Sequence, residues 1–301
     1  MSEPSRGLSA PARRMPPPQL IALREAHLAD AVRLSAALDW PYREADWRFA
    51  FDLGQGFAAQ AGGRLAATAL WWPYGRTHAS VGMIIVDARM QGQGLGRALV
   101  SSLLDAARDR TVLLNSTKEG LPLYAQFGFV ARGRVFQHQA AMDGTVALAA
   151  APVPAGVRPM QAADAGKVRQ LDLAATGMDR TALLDALFGA GTTMVLDRGT
   201  GASAYACMRE FGRGLVIGPV VASGADAAAD ATGLIAALAR QARGRFLRID
   251  VTDAAGLSPW LEKSGLPCVG SAVAMVREAR AHPADAGATA RLFALANQSF
   301  G

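Results

Sequence analysis

The stretch Val81-Gly-Met-Ile-Ile-Val-Asp-Ala-Arg-Met-Gln-Gly-Gln-Gly-Leu-Gly-Arg97 carries most of the information in this chain. A β-rich run ends near Val86, a glycine-studded loop follows, and an apolar-periodic helix begins near Leu95. Gly92, Gly94 and Gly96 leave no side chain over the loop, so backbone N–H groups can converge on an anion at the positive end of the helix. The glycines fall as Gly-x-Gly-x-Gly, which is not the dinucleotide pattern Gly-x-Gly-x-x-Gly. The next strand ends in Asn115-Ser116-Thr117 and not in the acid that would hold a ribose. There is no Gly-Lys-Ser/Thr, so a triphosphate loop is excluded.

What remains is Gln91-x-x-Gly94-x-Gly96. With it stands a second block, Glu119-Gly-Leu-Pro-Leu-Tyr-Ala-Gln-Phe-Gly-Phe129. These two elements resemble the GNAT superfamily of N-acetyltransferases, in its Gln/Arg-x-x-Gly-x-Gly/Ala signature and its downstream Leu-Tyr-x-x-x-Gly-Phe block. The resemblance covers roughly residues 20–140 well. Two departures stand out: Ala88, where the family often has Pro, and the lack of an acidic residue on the strand Ser80–Val86, where many members place a general base.

The resemblance implies acetyl-CoA as co-substrate and a small-molecule primary amine as acceptor, attacked directly. By position, Ile84, Ile85 and Val86 would pair their backbone with the pantetheine arm. Gly92, Gln93, Gly94, Leu95, Gly96 and Arg97 would hold the pyrophosphate through main-chain N–H, with Gln91 bracing the loop. Thr117 would lie near the thioester end. Tyr124 would protonate the departing thiolate; a phenol near pKa ~10 suits a thiol one to two units lower. A strand N–H near Val86 would hold the oxyanion. The base would be reached through water at His78, Glu119 or Asp46. An acyl-CoA sensor without turnover, and an acetyltransferase of protein N-termini or lysines, are the competing readings.

Outside these blocks, the early helices and central strands are rich in aromatics. Trp40, Tyr42, Trp47 and Trp72 are candidates for an acceptor box that could receive a cation or a ring. Core packing is the competing reading for most of them. Trp40 and Tyr42 flank Pro41 at a turn and are the better pocket candidates.

The chain of 301 residues reads as one α/β unit used twice. Arg24 and Asp30 open one stretch, and Arg158 and Asp164 open another with the same spacing. Strands are predicted at Gly56–Gln60, Arg64–Trp72, Ser80–Val86 and Val112–Asn115, with helices at Leu95–Arg108 and Leu121–Phe127. The second half repeats this order: strands at Thr193–Leu196, Ala202–Arg209, Leu215–Val221 and Phe246–Val251, helices at Ala225–Ala242 and Ser258–Ser264. The fold class is therefore α/β, and the resemblance makes it two tandem GNAT-like domains, each a mixed, mostly antiparallel sheet flanked by helices. The divisions are a disordered tail over 1–18, a catalytic domain over 19–144, a Pro-interrupted linker over 145–156, and a degenerate domain over 157–301 ending in a helical tail that docks back through Leu292, Phe293 and Leu295.

The second half has lost the chemistry. Its loop is Ser223-Gly-Ala-Asp-Ala-Ala-Ala-Asp230, whose acids would repel a pyrophosphate. Gly265 matches Gly128, which sets Leu261 opposite Tyr124. The polar pairs Asp179-Arg180 and Arg209-Glu210 read as exposed salt bridges.

Composition bounds the rest. Hydrophobic residues make up 51% and charged residues 19%, enough apolar surface for real cores. The net charge of +6 comes from scattered arginines without a like-charge block, which argues against nucleic acid and is milder attraction for an anionic cofactor. Cys207 and Cys268 lack CxxC spacing or a nearby His, so no metal site or disulfide framework is expected, in keeping with a reducing cytoplasm. No apolar run approaches bilayer length, so no membrane contact is expected. A homodimer is compatible with all of this.

Overall fold

The computed structural model describes residues 19–144, 146–278 and 290–301. The expected tail over 1–18 and residues 282–289 of the expected C-terminal helix, which begins at His282, lie outside the described residues.

The first repeat runs β1 (Leu20–Ala22), α1 (Leu28–Ala36), α2 (Glu44–Leu53), β2 (Gln55–Ala61), β3 (Arg64–Tyr74), β4 (His78–Val86), α3 (Leu95–Ala107), β5 (Thr111–Ser116), α4 (Leu121–Ala125) and β6 (Val130–Ala141). The second runs β7 (Val157–Pro159), α5 (Ala165–Thr176), α6 (Thr181–Ala190), β8 (Gly191–Asp197), β9 (Ala202–Phe211), β10 (Gly214–Ser223), α7 (Ala227–Gln241), β11 (Phe246–Thr252), α8 (Ser258–Lys263) and β12 (Cys268–Arg277), and is followed by β13 (Ala290–Ala294). The strands and helices expected between residues 56 and 264 are all present, each within two or three residues of its expected ends.

The strands form a single 13-stranded sheet in the order β1-β2-β3-β4-β5-β12-β6-β11-β13-β10-β9-β8-β7. Its centre is an exchange. β6 leaves the first repeat to pair antiparallel with β11, from Phe246↔Ala141 to Thr252↔Val135. β12 returns to lie between β5 and β6, from Val273↔Ser116 to Arg277↔Val112 on one side and from Cys268↔His138 to Val276↔Val130 on the other. Each repeat's last long strand thus completes the sheet beside the other repeat's fifth strand.

Helix faces follow the apolar spacing. Leu95, Leu99, Leu103 and Ala107 recur every fourth residue on α3 and bury against Ala67, Ala69 and Val81 of the sheet. The opposite face is covered by α1, α2, α5 and α6, whose core runs without a break from Leu28 and Trp47 to Leu171, Tyr205 and Phe300. The region between the repeats is strapped down and not slack. Leu148 is fully buried, and Arg240 of α7 donates to the carbonyls of Ala149 (2.9 Å) and Ala151 (3.0 Å). Gly233 of α7 makes this possible, since a Cβ there would lie 2.2 Å from Pro154 Cδ.

Both repeats contain a wedge. β4 and β5 run parallel only over His78–Ser80 and Thr111–Leu113 before diverging. β10 and β11 do so only over Leu215–Ile217 and Leu247–Ile249. In the second repeat β13 fills the wedge, pairing with Val220–Ser223 of β10 and, at Ala294, with Val251 of β11. The described part of the C-terminal segment is therefore a strand where a helix was expected. The free edges of β10 and β11 offer its backbone partners that no isolated helix could match, and tertiary pairing overrides local preference. Docking through Leu292, Phe293 and Leu295 is observed, Phe293 being fully buried.

Two polar pairs differ from expectation. Arg180 does not engage Asp179 at the surface; it is buried and pairs with Asp172, through Nε at 2.9 Å and Nη2 at 2.6 Å. Arg209 is buried against the rings of Phe49 (4.6 Å) and Phe211 (5.0 Å), 3.7 Å from Asp46, and burial pulls its guanidinium down to about 10, with Asp46 opposing. Glu210 stays at the surface with Arg245 at 2.7 Å.

Candidate active site

The wedge of the first repeat is open. β4 pairs with β3 through a register shift, Leu70↔Gly82 giving way to Thr68↔Ile85. Met83 sits at the shift with φ +50, and the Thr68 hydroxyl donates to its carbonyl at 2.9 Å. This bulge turns the strand outward. Past Ser80 no described strand pairs with the inner edge of β4, so its peptide groups face the wedge.

The glycine loop at the end of β4 is held by its own polar groups. Gln91 Nε2 donates to the Val86 carbonyl at 3.2 Å. Asp87 accepts from the Arg89 backbone N–H at 3.0 Å and from its guanidinium at 2.8 Å, and these bonds hold the Asp87 carboxyl down to about 2. Gly92 (φ +74) and Gly94 (φ +81) take left-handed backbone at the head of α3, and a Cβ on either would meet nothing within 4 Å. The space over the loop is open at the head of a helix, where an anion such as an acyl-CoA pyrophosphate could be held. Gly96 serves packing, its Cβ position lying 3.3 Å from Leu123 Cδ2 of α4.

A cavity of 740 Å³ occupies the wedge, and it gathers Trp40, Ile84, Ile85, Val86, Gln91, Gly92, Gly94, Leu95, Gly96, Thr117 and Tyr124. Two residues of the expected cofactor-binding set, Gln93 and Arg97, do not line it. Gln93 turns its amide to the Arg89 carbonyl at 3.5 Å. Arg97 reaches Gln126 across α4 and lies 5.6 Å from the Phe127 ring. Sequence alone did not single out Asn115 or Gly120 on the opposite wall. Gly120 gives the tyrosine its room, since a Cβ there would lie 2.9 Å from Tyr124 Cε2.

Tyr124 projects from α4 with its ring edge-on to Phe129 at 6.0 Å. Burial pushes its hydroxyl up to about 12, so it is protonated at neutral pH. Glu119 lines the same cavity. Hydrogen bonds from its own backbone and from Thr117 hold its carboxyl below the ordinary range. The other two base candidates lie elsewhere. His78 sits at the end of β4 still zipped to β5, and Asp46 is buried under Arg43, which donates to it at 3.0 Å.

A second chamber of 150 Å³ adjoins the first, sharing Trp40, Gly82, Met83, Asn115 and Thr117 with it. Tyr42 lines it too, with its hydroxyl 3.2 Å from Ser299 Oγ. Of the aromatic candidates, Trp40 and Tyr42 reach this chamber; Trp47 and Trp72 line neither cavity. Trp47 points into the core and donates to Ser35 Oγ at 3.1 Å, and Trp72 donates to the Ala50 carbonyl at 2.8 Å beneath α2. Asp39 and Pro41 of the same turn line it as well, and the remaining walls are Gln137, Arg248, Gln298 and Ser299. No local pattern marks these four: only the exchange of β6 and the path of the chain after β13 bring them here.

Among the described residues the wedge of the second repeat is filled. β13 lies in its wedge, Leu261 at the tyrosine position is fully buried, and Asp230 in its loop region is engaged by Arg198 at 2.7 Å. Among the described residues no cluster of His, Cys, Asp and Glu could hold a metal, and no helix is long and apolar enough to cross a membrane.

One sheet thus carries the same wedge twice, with a glycine loop at the head of a helix in the first repeat, and this chain belongs to the GNAT family of N-acetyltransferases. The GNAT acetyltransferase family model matches residues 21–129, and a GNAT acetyltransferase domain model matches residues 168–290. The N-acetyltransferase YitH of Bacillus subtilis, itself uncharacterized, is 30% identical over 238 residues, covering 77% of this chain and 82% of that protein. A glucosamine 6-phosphate N-acetyltransferase of Trypanosoma brucei brucei is 35% identical over 63 residues, 20% of this chain and 43% of that protein. Among solved structures, a Pyrococcus horikoshii protein described as an acetyltransferase superposes with a TM-score of 0.75 at 18% identity, over 98% of this chain and 100% of that one. A tandem GNAT protein from the clavulanic acid biosynthesis pathway superposes with a TM-score of 0.61 at 19% identity, over 88% and 100%.

Proposed function

We propose that this chain moves the acetyl group of acetyl-CoA to the primary amine of a small molecule by direct attack in a ternary complex. The observation that carries this reading is that the two cavities adjoin, with Trp40, Gly82, Met83, Asn115 and Thr117 on the walls of both. A donor arm laid along β4 and an acceptor in the smaller chamber would meet there. Acetyl-CoA, when bound, supplies an activated acyl group on a thiol leaving group.

The chain's own residues then divide the work. The inner edge of β4 over Ile84–Val86 offers peptide groups for the donor arm and an N–H for developing negative charge. Gly92–Gly96 receive the pyrophosphate. Tyr124 holds a proton for the departing sulfur, since a hydroxyl raised to about 12 is fully protonated when needed. Glu119 is a weak base because its carboxyl is held low, so the acceptor amine enters the attack already neutral.

A chamber of 150 Å³ backed by Gln298 and Ser299 supports a small-molecule acceptor over a lysine on a protein surface. The Tyr124 hydroxyl, which has no hydrogen-bond partner among the described residues, supports turnover over mere sensing. The test is calorimetric titration of acetyl-CoA into the wild type and Gly94→Glu, followed by a thiol-release screen over amines. Binding that disappears in the variant, and turnover with an amine, are expected. Absence of binding to the wild type overturns the reading.

A further inference from the structure

The smaller chamber is walled by both repeats. Arg248 comes from β11, beside β6, and Gln298 and Ser299 come from the segment after β13. That segment crosses from one wedge to the other. Leu295 N–H donates to the Asp250 carbonyl at 2.8 Å, Asn115 Nδ2 to the Gln298 carbonyl at 2.9 Å, and Ser80 Oγ to the Ser299 carbonyl at 2.6 Å. Gly82 lets it approach, a Cβ there lying 3.2 Å from Ser299 Cβ.

Arg248 is held along one edge. Its Nε and Nη2 donate to both oxygens of Asp250 at 2.9–3.1 Å, and Asp250 is fully buried and cannot swing away. Nη1 has no hydrogen-bond partner among the described residues, although the side chain is only 11% exposed. Asp250 balances the charge of Arg248, and Asp39 on the chamber wall adds a carboxylate that an ammonium group could meet. At about 30 Å³ per water, the chamber's 150 Å³ fits an occupant the size of an amino acid.

We propose that the acceptor is a compact amine that also carries a carboxylate, and that Arg248 Nη1, with Gln298 and Ser299 beside it, recognises that carboxylate. The inference rests on the acetyl-transfer reading and narrows its acceptor. A planar guanidinium with a free edge matches a carboxylate. An acid anchored at Arg248 would leave its amine free to reach Met83 and Thr117, which line both cavities.

The test uses the full chain, acetyl-CoA, and the common amino acids paired with their primary carboxamides, read by thiol release. At least one acid is expected to exceed its amide by tenfold or more in kcat/KM. Arg248→Gln/Asp250→Asn removes both charges and keeps hydrogen-bonding groups; it should bring that ratio near unity while acetyl-CoA binding by calorimetry persists. Ser299→Ala is a milder second variant and should raise KM for the acid a few-fold and leave the amide unmoved. Amides used as well as acids, or no acid accepted by a protein that still binds acetyl-CoA, overturns this inference and leaves the donor site standing. Failure to bind acetyl-CoA overturns the transfer reading itself.

Discussion

Ser80 Oγ donates to the Ser299 carbonyl at 2.6 Å across 219 positions of sequence. The bond joins the strand that opens the first repeat's wedge to the segment that closes the second. Tyr74 adds a hydrogen bond to the Phe300 carbonyl at 2.5 Å. Phe300 is 1% exposed and lies edge-on to Trp72 at 4.8 Å and to Phe49 at 5.8 Å. Phe300→Ala therefore removes a first-repeat core residue that is encoded at the far end of the chain. We expect a loss of about 3–5 kcal/mol, read from the denaturant midpoint. A loss under about 1 kcal/mol, within the range of ordinary surface substitutions, would show that the segment is not docked as described.

Tyr124→Phe should lower kcat by about 10²-fold, at the low end of what positioned proton transfer contributes, with KM for acetyl-CoA little changed. Because the hydroxyl is held near 12, its acid form is present throughout the range in which the protein is folded. Wild type and variant should consequently show pH profiles of the same shape. An alkaline limb present in the wild type and missing in the variant would contradict this assignment.

The ascending limb should belong to the substrate. Glu119 is ionised well below neutrality, so it imposes no pH step there. Activity at subsaturating acceptor should rise with pH in proportion to the free-base amine and level off at the acceptor's own pKa. Two acceptors that differ in amine pKa should give limbs displaced by that difference. Coincident limbs would point to an enzyme base.

The pair Arg180 and Asp172 is 0% and 1% exposed. Tyr205 also donates to Asp172, and Arg180 Nη1 donates to the Gly301 carbonyl oxygen at 2.7 Å. Arg180→Met leaves a buried carboxylate without its cation and should cost about 3–5 kcal/mol. Arg180→Met/Asp172→Leu should recover a large part of that cost in thermal denaturation. Additive losses in the double variant would show that the two do not act as a pair.

Burial pushes the Cys207 thiol up to about 12, whereas Cys268 is partly exposed. A thiol reagent at mildly alkaline pH should modify Cys268 in the native protein and reach Cys207 only on unfolding. Two fast equivalents would contradict the burial.

What the sequence made legible was local. The Gly92–Gly96 loop and the Tyr124 block are fixed by short spacings, and their residues meet in one cavity. The repeat was readable from element order, although the matching Arg–Asp spacing corresponds to an ion pair only in the second half. There Arg158 meets Asp164 at 2.6 Å, while Asp30 turns to Arg33 at 3.1 Å. The rest depended on long-range pairing. Ala290–Ala294 has helix-compatible spacing and becomes a strand because two open edges await it. Trp47 and Trp72 have the chemistry of pocket residues but face the core, which composition cannot reveal. Arg248, Gln298 and Ser299 reach the first repeat's chamber through an exchange that leaves no trace in local pattern.

That exchange makes the two halves inseparable. A polypeptide holding only the first repeat would have β6 without β11 and β5 without β12, two bare edges in the middle of its sheet. The same holds for the second repeat in reverse. Separate half-chains would have reason to find one another and assemble as a split protein, whereas either half alone would be prone to stick to whatever edge it met. The second repeat can therefore lack the glycines of the first without cost to the fold, but it cannot be deleted, because its strands complete the sheet of the other half.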